Sequence, residues 1–274
     1  MRRLVTAIVP LRLRRVLRHE LTQAPQRLRD LPADFACLFR PSAFGGPLPP
    51  PGLRARVGQL SRRVFRRVGE EGRDQLLAAF EGARAPGRSY PTWLDFGCGC
   101  GRLARFMAMS DPPVASLWGV DVDVDLVDWA ARHLPGRYET MRPRPPLPFA
   151  AAMFDAVYAT SIFSHYTETE QEAWLGELSR VLRPGGLLFA TTISPALIGG
   201  FSGVSDADRQ RLAGTGFVCV NPTGDFNARA AFHAVPYLEK AWGRVFNLRS
   251  HQTRGFVGYQ DLSVWEKPGE LARR

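Results

Sequence analysis

Asp95-Phe96-Gly97-Cys98-Gly99-Cys100-Gly101 decides the fold. Pro91 to Phe96 reads as a strand and Arg102 to Met109 as a helix, so three glycines at alternate positions join a strand end to a helix start. Glycines there permit tight backbone conformations and let a ligand approach the main chain, where any Cβ would obstruct it. The N–H groups opening the helix have positive dipole character and suit a carboxylate or phosphate. Asp121 follows a second apolar run, Ala115 to Val120, where a carboxylate accepts hydrogen bonds from ribose hydroxyls.

Gly99-Cys100-Gly101-Arg102-Leu103-Ala104 also fits the loose G-x-G-x-x-A form of nicotinamide dinucleotide sites, so an NAD-dependent oxidoreductase is a rival reading. Asp95 argues against it. A carboxylate just before the turn would repel a pyrophosphate, whereas it would attract a cationic amino group.

Outward from the turn, short apolar runs alternate with helical patterns. Val124 to Leu134 reads as a helix, Phe154 to Thr160 as a strand, Glu168 to Leu182 as a helix and Gly186 to Thr192 as a strand. Such alternation demands parallel strands with helices on both faces, because each crossover returns the chain to the same edge of the sheet. Val245 to Arg249 and Gly258 to Trp265 read as a closing hairpin. The expected fold is α/β: a doubly wound, mostly parallel seven-stranded sheet with a C-terminal antiparallel hairpin and an N-terminal helical extension. Residues 53–90 form that extension, read as two amphipathic helices broken at Gly72, and residues 91–274 form the sheet domain. Glycines and aromatics between about 193 and 230 suggest a lid inserted over an acceptor site.

Residues 1–52 read as a basic, Pro-rich arm, with Pro32, Pro41, Pro47 and Pro49 to Pro51 excluding regular structure in its second half. Residues 1–90 hold 18 arginines, no lysine and 7 acids, whereas the rest of the chain carries 18 basic against 19 acidic residues. The whole excess of the net charge of +10 therefore lies in the first third, which suits an anionic partner. Leu4, Ile8 and Leu11 make peripheral membrane contact through the arm one expectation. The bland reading is a solvated basic surface. The four cysteines form no disulfide framework, and Cys98-x-Cys100 has neither redox nor zinc spacing, which points to a reducing, cytoplasmic compartment.

The stretch Asp95 to Gly101 resembles the first motif of class I S-adenosylmethionine-dependent methyltransferases. Gly119-Val120-Asp121 is similar to their second-strand acid, and Leu147-Pro148-Phe149 with Phe154-Asp155-Ala156-Val157 resembles their approach to the fourth strand. Glu177 to Gly186 is similar to the helix and Pro-Gly-Gly turn before their fifth strand. The resemblance implies S-adenosylmethionine as cofactor, with Asp95 and the backbone of Gly97, Cys98, Gly99 and Gly101 around the methionine end. It further implies Asp121 and Val122 beside the ribose, and Thr160 and Ser161 along the wall near the sulfonium. Met141 to Pro146 departs from the family by lacking an acid or amide for the adenine amino group.

Methyl transfer from a sulfonium is an in-line displacement that needs positioning and exclusion of water, and no metal. His165, just past the fourth strand, and His233, before the last helix, are the candidate catalytic bases for a protonated nucleophile. The expected acceptor is a small molecule, more readily methylated on oxygen than on nitrogen or carbon, and an anionic one would suit the basic balance. Ala159-Thr160-Ser161-Ile162 stands where base-directed enzymes carry Asn/Asp-Pro-Pro-Tyr/Phe, which ranks nucleic acid low. A second class of reading is a non-catalytic S-adenosylmethionine-binding protein docked through the arm.

Overall fold

The computed structural model describes residues 46–58, 61–110, 114–221 and 226–269. Most of the basic arm, residues 1–45, and with it the membrane-contact expectation, lies outside the described residues.

Five parallel strands form the centre of the molecule: β1 (Thr92–Phe96), β2 (Ser116–Asp121), β3 (Arg137–Thr140), β4 (Phe154–Ala159) and β5 (Leu182–Thr192). Two short strands, β6 (Phe217–Val220) and β7 (Ala230–His233), pair as a separate antiparallel ribbon. The chain ends in β8 (Asn247–Phe256) and β9 (Gln260–Glu266), and β9 inserts antiparallel between β5 and β8. The resulting sheet runs β3-β2-β1-β4-β5-β9-β8, the doubly wound, seven-stranded arrangement expected from sequence. Strand order reverses between β1 and β4, the switch point beyond whose strand ends folds of this kind bind ligands.

The helices are α1 (Pro51–Arg56), α2 (Arg62–Ala83), α3 (Ala104–Met107), α4 (Val124–His133), α5 (Glu168–Val181), α6 (Asp206–Thr215) and α7 (Val235–Ala241). Their starts are written locally. Asp123 caps α4 by accepting from Asp125 N and Leu126 N, and Thr167 with Glu170 forms a capping box on α5. Alternation along the strands divides the core in two. Trp93, Tyr158 and Phe189 face Phe65 and Leu76 of α2 and Leu126 of α4, while Leu94, Phe96 and Leu188 face Trp174 of α5 and Leu238 of α7.

Three local readings change. α2 runs through Gly72 as one 22-residue helix. A Cβ at Gly72 would stand 2.7 Å from Leu103 Cδ2, and one at Gly69 2.6 Å from the Arg102 carbonyl oxygen. These glycines let the helix backbone press on the segment after the turn; they do not break it. That segment is α-helical only over Ala104–Met107, shorter than the expected helix. The third change is β3, where Tyr138 is the only buried side chain of four, too short an alternation to stand out in sequence. Within residues 193–230, expected as a lid, the described chain forms a 3-10 turn at Pro195–Gly200, then α6 and β6.

Candidate active site

At the end of β1 the chain turns back on the neighbouring strand. Gly97 N and Cys98 N both donate to Val120 O, at 2.8 and 2.9 Å, and Gly101 N donates to Cys98 O at 2.9 Å. Gly97, Gly99 and Gly101 adopt φ of 81°, 52° and 69°, a region costly to residues with a Cβ. Asp121 closes the arrangement: its Oδ2 accepts from Gly99 N at 2.8 Å and its Oδ1 from Asp123 N at 3.0 Å. The carboxylate is held in place and remains partly exposed. Val122, beside it, is 49% exposed, an apolar side chain open to a ligand ring.

Asp95 lies beneath the turn, 2% exposed and in register with Tyr158 on β4. Burial drives its pKa up to about 8; Tyr158 pulls the other way, the Asp121 charge adds to the rise, and Arg102 opposes it. Burial also raises Asp121, with the Asp123 and Gly99 N–H groups opposing. The Cys98 thiol is pushed well up and that of Cys100 to about 11, both chiefly by burial, so neither offers a thiolate at neutral pH.

Residues 46–58, the end of the Pro-rich arm and the start of the helical extension, form a strap over this turn. Arg105, fully buried, donates to Gly101 O and Pro47 O, each at 3.2 Å, and its guanidinium lies over the Phe65 and Trp129 rings. Arg56 Nη1 meets Asp123 Oδ1 and Asp125 Oδ2, both at 2.8 Å. Arg102 Nη1 donates to Val57 O at 3.2 Å, and the Val57 side chain lies over Gly99, where a Cβ would come within 2.7 Å of it. Ile162 covers Gly97 from the other side.

On the β4 and β5 ends, Thr160 is buried and Ser161 takes φ of 59°. Ser161 N donates to Thr191 Oγ1 at 2.7 Å, while Ser161 Oγ and Thr191 Oγ1 both donate to Gln260 Oε1, at 2.9 and 2.8 Å. Gln260, at the start of β9, thereby fixes the wall expected beside the sulfonium. No spacing rule connects positions 99 residues apart, so Gln260 was not legible in sequence.

The two histidines part company. His165 Nδ1 lies 2.9 Å from Arg229 O and must donate to it, which leaves the lone pair on Nε2. Burial lowers its pKa, against opposing contributions from the Arg229 and Phe226 carbonyls, and the ring packs on Phe226. His233 is the last residue of β7 and 1% exposed. Its Nε2 lies 2.9 Å from Gln171 Nε2 and 3.2 Å from Gln171 Oε1, and that Oε1 accepts from Trp242 Nε1 at 3.1 Å. Burial lowers the His233 pKa to about 3, so the ring is neutral and enclosed in the core, a poor placement for a base.

The residues around the turn fit S-adenosylmethionine on these structural grounds: a tight turn of three positive-φ glycines at the end of β1, an anchored and partly exposed acid for a diol, and a buried acid beneath the turn. Among the described residues there is no cluster able to hold a metal ion, and no helix is long and apolar enough to cross a membrane.

The strand order and the glycine turn together define a class I methyltransferase fold. Residues 94–186 match the family model of the methyltransferase domain. Over that stretch the chain carries a methyltransferase domain, and its fold is that of the class I S-adenosylmethionine-dependent enzymes. It is 31% identical over 112 residues to a malonyl-[acyl-carrier protein] O-methyltransferase of Enterobacter lignolyticus (strain SCF1), covering 41% of this chain and 43% of that protein. With the enzyme of the same name from Hahella chejuensis (strain KCTC 2396) it shares 32% identity over 102 residues, 36% of each chain. The chain thus matches less than half the length of these curated relatives. Solved structures with the same fold include the PH0226 protein of Pyrococcus horikoshii OT3, with TM-score 0.54, 19% identity and coverage of 76% of this chain and 92% of that one. An S-adenosylmethionine-dependent methyltransferase of Mesorhizobium loti gives TM-score 0.53 at 15% identity, covering 72% of this chain and 100% of that one.

Proposed function

We propose that this protein transfers the methyl group of S-adenosylmethionine to an oxygen atom of a small-molecule acceptor, and that the acceptor oxygen belongs to a carboxylate carried on an acyl thioester. The Asp121 carboxylate fastened to the Gly99 amide carries the cofactor half of this reading. The names of the partial relatives support the acceptor half.

S-adenosylmethionine, when bound, supplies a methyl group made electrophilic by its attachment to a sulfonium. The chain's own work is placement. Asp121 accepts from the ribose hydroxyls, Val122 flanks the nucleoside, and Asp95 with the Gly97–Gly101 backbone receives the methionine end. The Ser161, Thr191 and Gln260 network holds the wall past which the acceptor approaches. A carboxylate is already ionised at neutral pH and requires no base; an alcohol or phenol would lose a proton, and of the two candidate histidines His165, whose Nδ1 faces Arg229 O and whose Nε2 keeps its lone pair, is the better placed to take it.

The test pairs binding with turnover. Calorimetric titration should show S-adenosylhomocysteine bound and NAD not; binding of NAD alone would overturn the cofactor. Incubation with labelled S-adenosylmethionine and malonyl-loaded acyl carrier protein should yield a base-labile methyl ester. Label appearing only in another species from a metabolite extract would replace this acceptor.

A further inference from the structure

A groove of about 1060 Å³ runs between α5, α6 and α7, apart from the glycine turn. Its lining includes Glu168 and Gln171 at the start of α5, the helix that succeeds β4 after the 3-10 turn Phe163–His165, and Pro195 and Ile198 in the 3-10 turn that follows β5. One end of the groove therefore belongs to the edge of the sheet where an acceptor must meet the cofactor. Its size matches or exceeds that of sites for drug-sized ligands, roughly 300–1,000 Å³.

The charges along it are unevenly disposed. Arg209 of α6, Lys240 of α7 and Arg244 in the turn after α7 line the groove. No ion pair or hydrogen bond engages these three side chains among the described residues. Both lining acids, Glu168 and Glu172, stand on α5, and Glu168 already accepts from Tyr237 Oη at 3.0 Å. Between the charges the walls are apolar, with Leu175, Leu212 and Val245. An occupant suited to this surface is an extended chain with an apolar body, amide groups and one anionic end lodged among the three cations.

We propose that the groove binds the phosphate-bearing pantetheine arm of an acyl carrier protein, with its phosphodiester at Arg209, Lys240 and Arg244 and its thioester end toward β4 and β5. This rests on the carrier-bound acceptor proposed above. The arm has the required shape: a phosphodiester, a branched apolar segment, two amides and a thiol that carries the acyl group. Carrier proteins are acidic, and Arg209, Lys240 and Arg244 present three cations along the groove. Complementary charge would raise the rate of encounter as well as the occupancy.

The experiment uses the full chain and two variants, Lys240→Glu/Arg244→Glu and Arg209→Glu. Methylation of malonyl-loaded carrier protein should show KM raised tenfold or more in the double variant, with kcat within about twofold and S-adenosylhomocysteine affinity unchanged. Malonyl-pantetheine without the phosphate should be a weaker substrate of the wild type and be used equally by wild type and double variant. A KM for the carrier that stays within twofold of wild type would overturn the groove while leaving the carrier reaction standing. If no carrier is methylated, calorimetry with 4′-phosphopantetheine separates the two ideas: binding lost in the double variant keeps the groove and removes the acceptor reading, and no binding by the wild type removes the groove as well. Retention of RNA by the groove, abolished by the same variants, would replace the carrier arm as occupant.

Discussion

Gly99 N and Asp121 Oδ2 stand 2.8 Å apart, so the turn that ends β1 is fastened to the acid that ends β2. The second carboxylate oxygen is held by Asp123 N at 3.0 Å. A side chain gripped at both oxygens offers its remaining lone pairs in a fixed direction, and little is lost in ordering it when a diol arrives.

Asp121→Asn keeps the size and removes the charge. Hydrogen bonds to charged groups contribute about 1.5–3 kcal/mol, so S-adenosylhomocysteine should bind roughly 10- to 150-fold more weakly. Calorimetric titration checks this, and a loss under threefold would remove Asp121 from the ribose.

Asp95 should make cofactor binding pH-dependent. Its folded-state pKa of about 8 lies far above the unfolded value of 3.8, so the folded protein keeps a proton that the unfolded chain releases. Stability from this group is present below the unfolded value and is lost as pH rises from about 4 to 8. Asp95→Asn should therefore gain in Tm relative to wild type across that window, and the gain should vanish at its acid end. A cationic amino group placed beside Asp95 favours the ionised form, so binding of S-adenosylhomocysteine at pH 7 should release a proton. Calorimetry in buffers of different ionisation heat measures that release; equal apparent enthalpies in all of them would refute the pairing.

The glycines of α2 test the packing. In an exposed helix Gly→Ala would stabilise by about 1 kcal/mol, but here the new Cβ meets Leu103 and Phe256. Gly72→Ala should instead cost about 1–3 kcal/mol through overpacking, read as a lower urea midpoint at unchanged m-value.

Gly72 also shows where sequence reading stops. A glycine inside a helical pattern carries the same local signal whether the helix ends or a neighbour presses on it, and only the approach of Phe256 from 184 positions downstream decides. The glycine turn and Asp121 were legible because their chemistry is local to two strand ends. Much of the downstream resemblance is scaffold: Leu147 N donates to Glu177 Oε1 at 2.6 Å, and Arg183 pairs with Asp155 at 2.7 Å. Those motifs tie the β4 and β5 region together, which explains why they mark the fold and say nothing of the acceptor. Gln171 and Gln260 depend on contacts between distant segments and left no pattern to read.

The strap should govern cofactor exchange. Arg56 is 45% exposed, so its pairs with Asp123 and Asp125 are screened and contribute at most about 1 kcal/mol. Arg56→Ala should speed release of S-adenosylhomocysteine up to about fivefold, and 0.5 M salt should bring wild type toward the variant. Stopped-flow displacement reads both; identical release rates for the two proteins would detach the strap from exchange.

The histidines divide acceptor classes. If the acceptor is a carboxylate, no proton leaves the nucleophile, and kcat should be flat between pH 6 and 8 in the wild type. His165→Gln, which can keep a donor toward Arg229 O, should then retain kcat within about threefold. An alcohol or phenol acceptor would instead make His165→Gln lose about 100-fold or more, the usual contribution of a positioned base. Burial lowers the His165 pKa, so the pH limb in that case should lie below the ordinary histidine value of 6.5, with activity rising as the ring deprotonates. His233→Gln separates a structural role from a chemical one. Its ring is hydrogen-bonded to Gln171 inside the core, so the substitution should lower Tm and leave the pH profile of kcat unchanged. A shifted profile in a His233→Gln protein of normal stability would return His233 to the chemistry, and a carboxylate acceptor paired with a 100-fold loss in His165→Gln would show that His165 touches the acceptor for a reason other than proton removal.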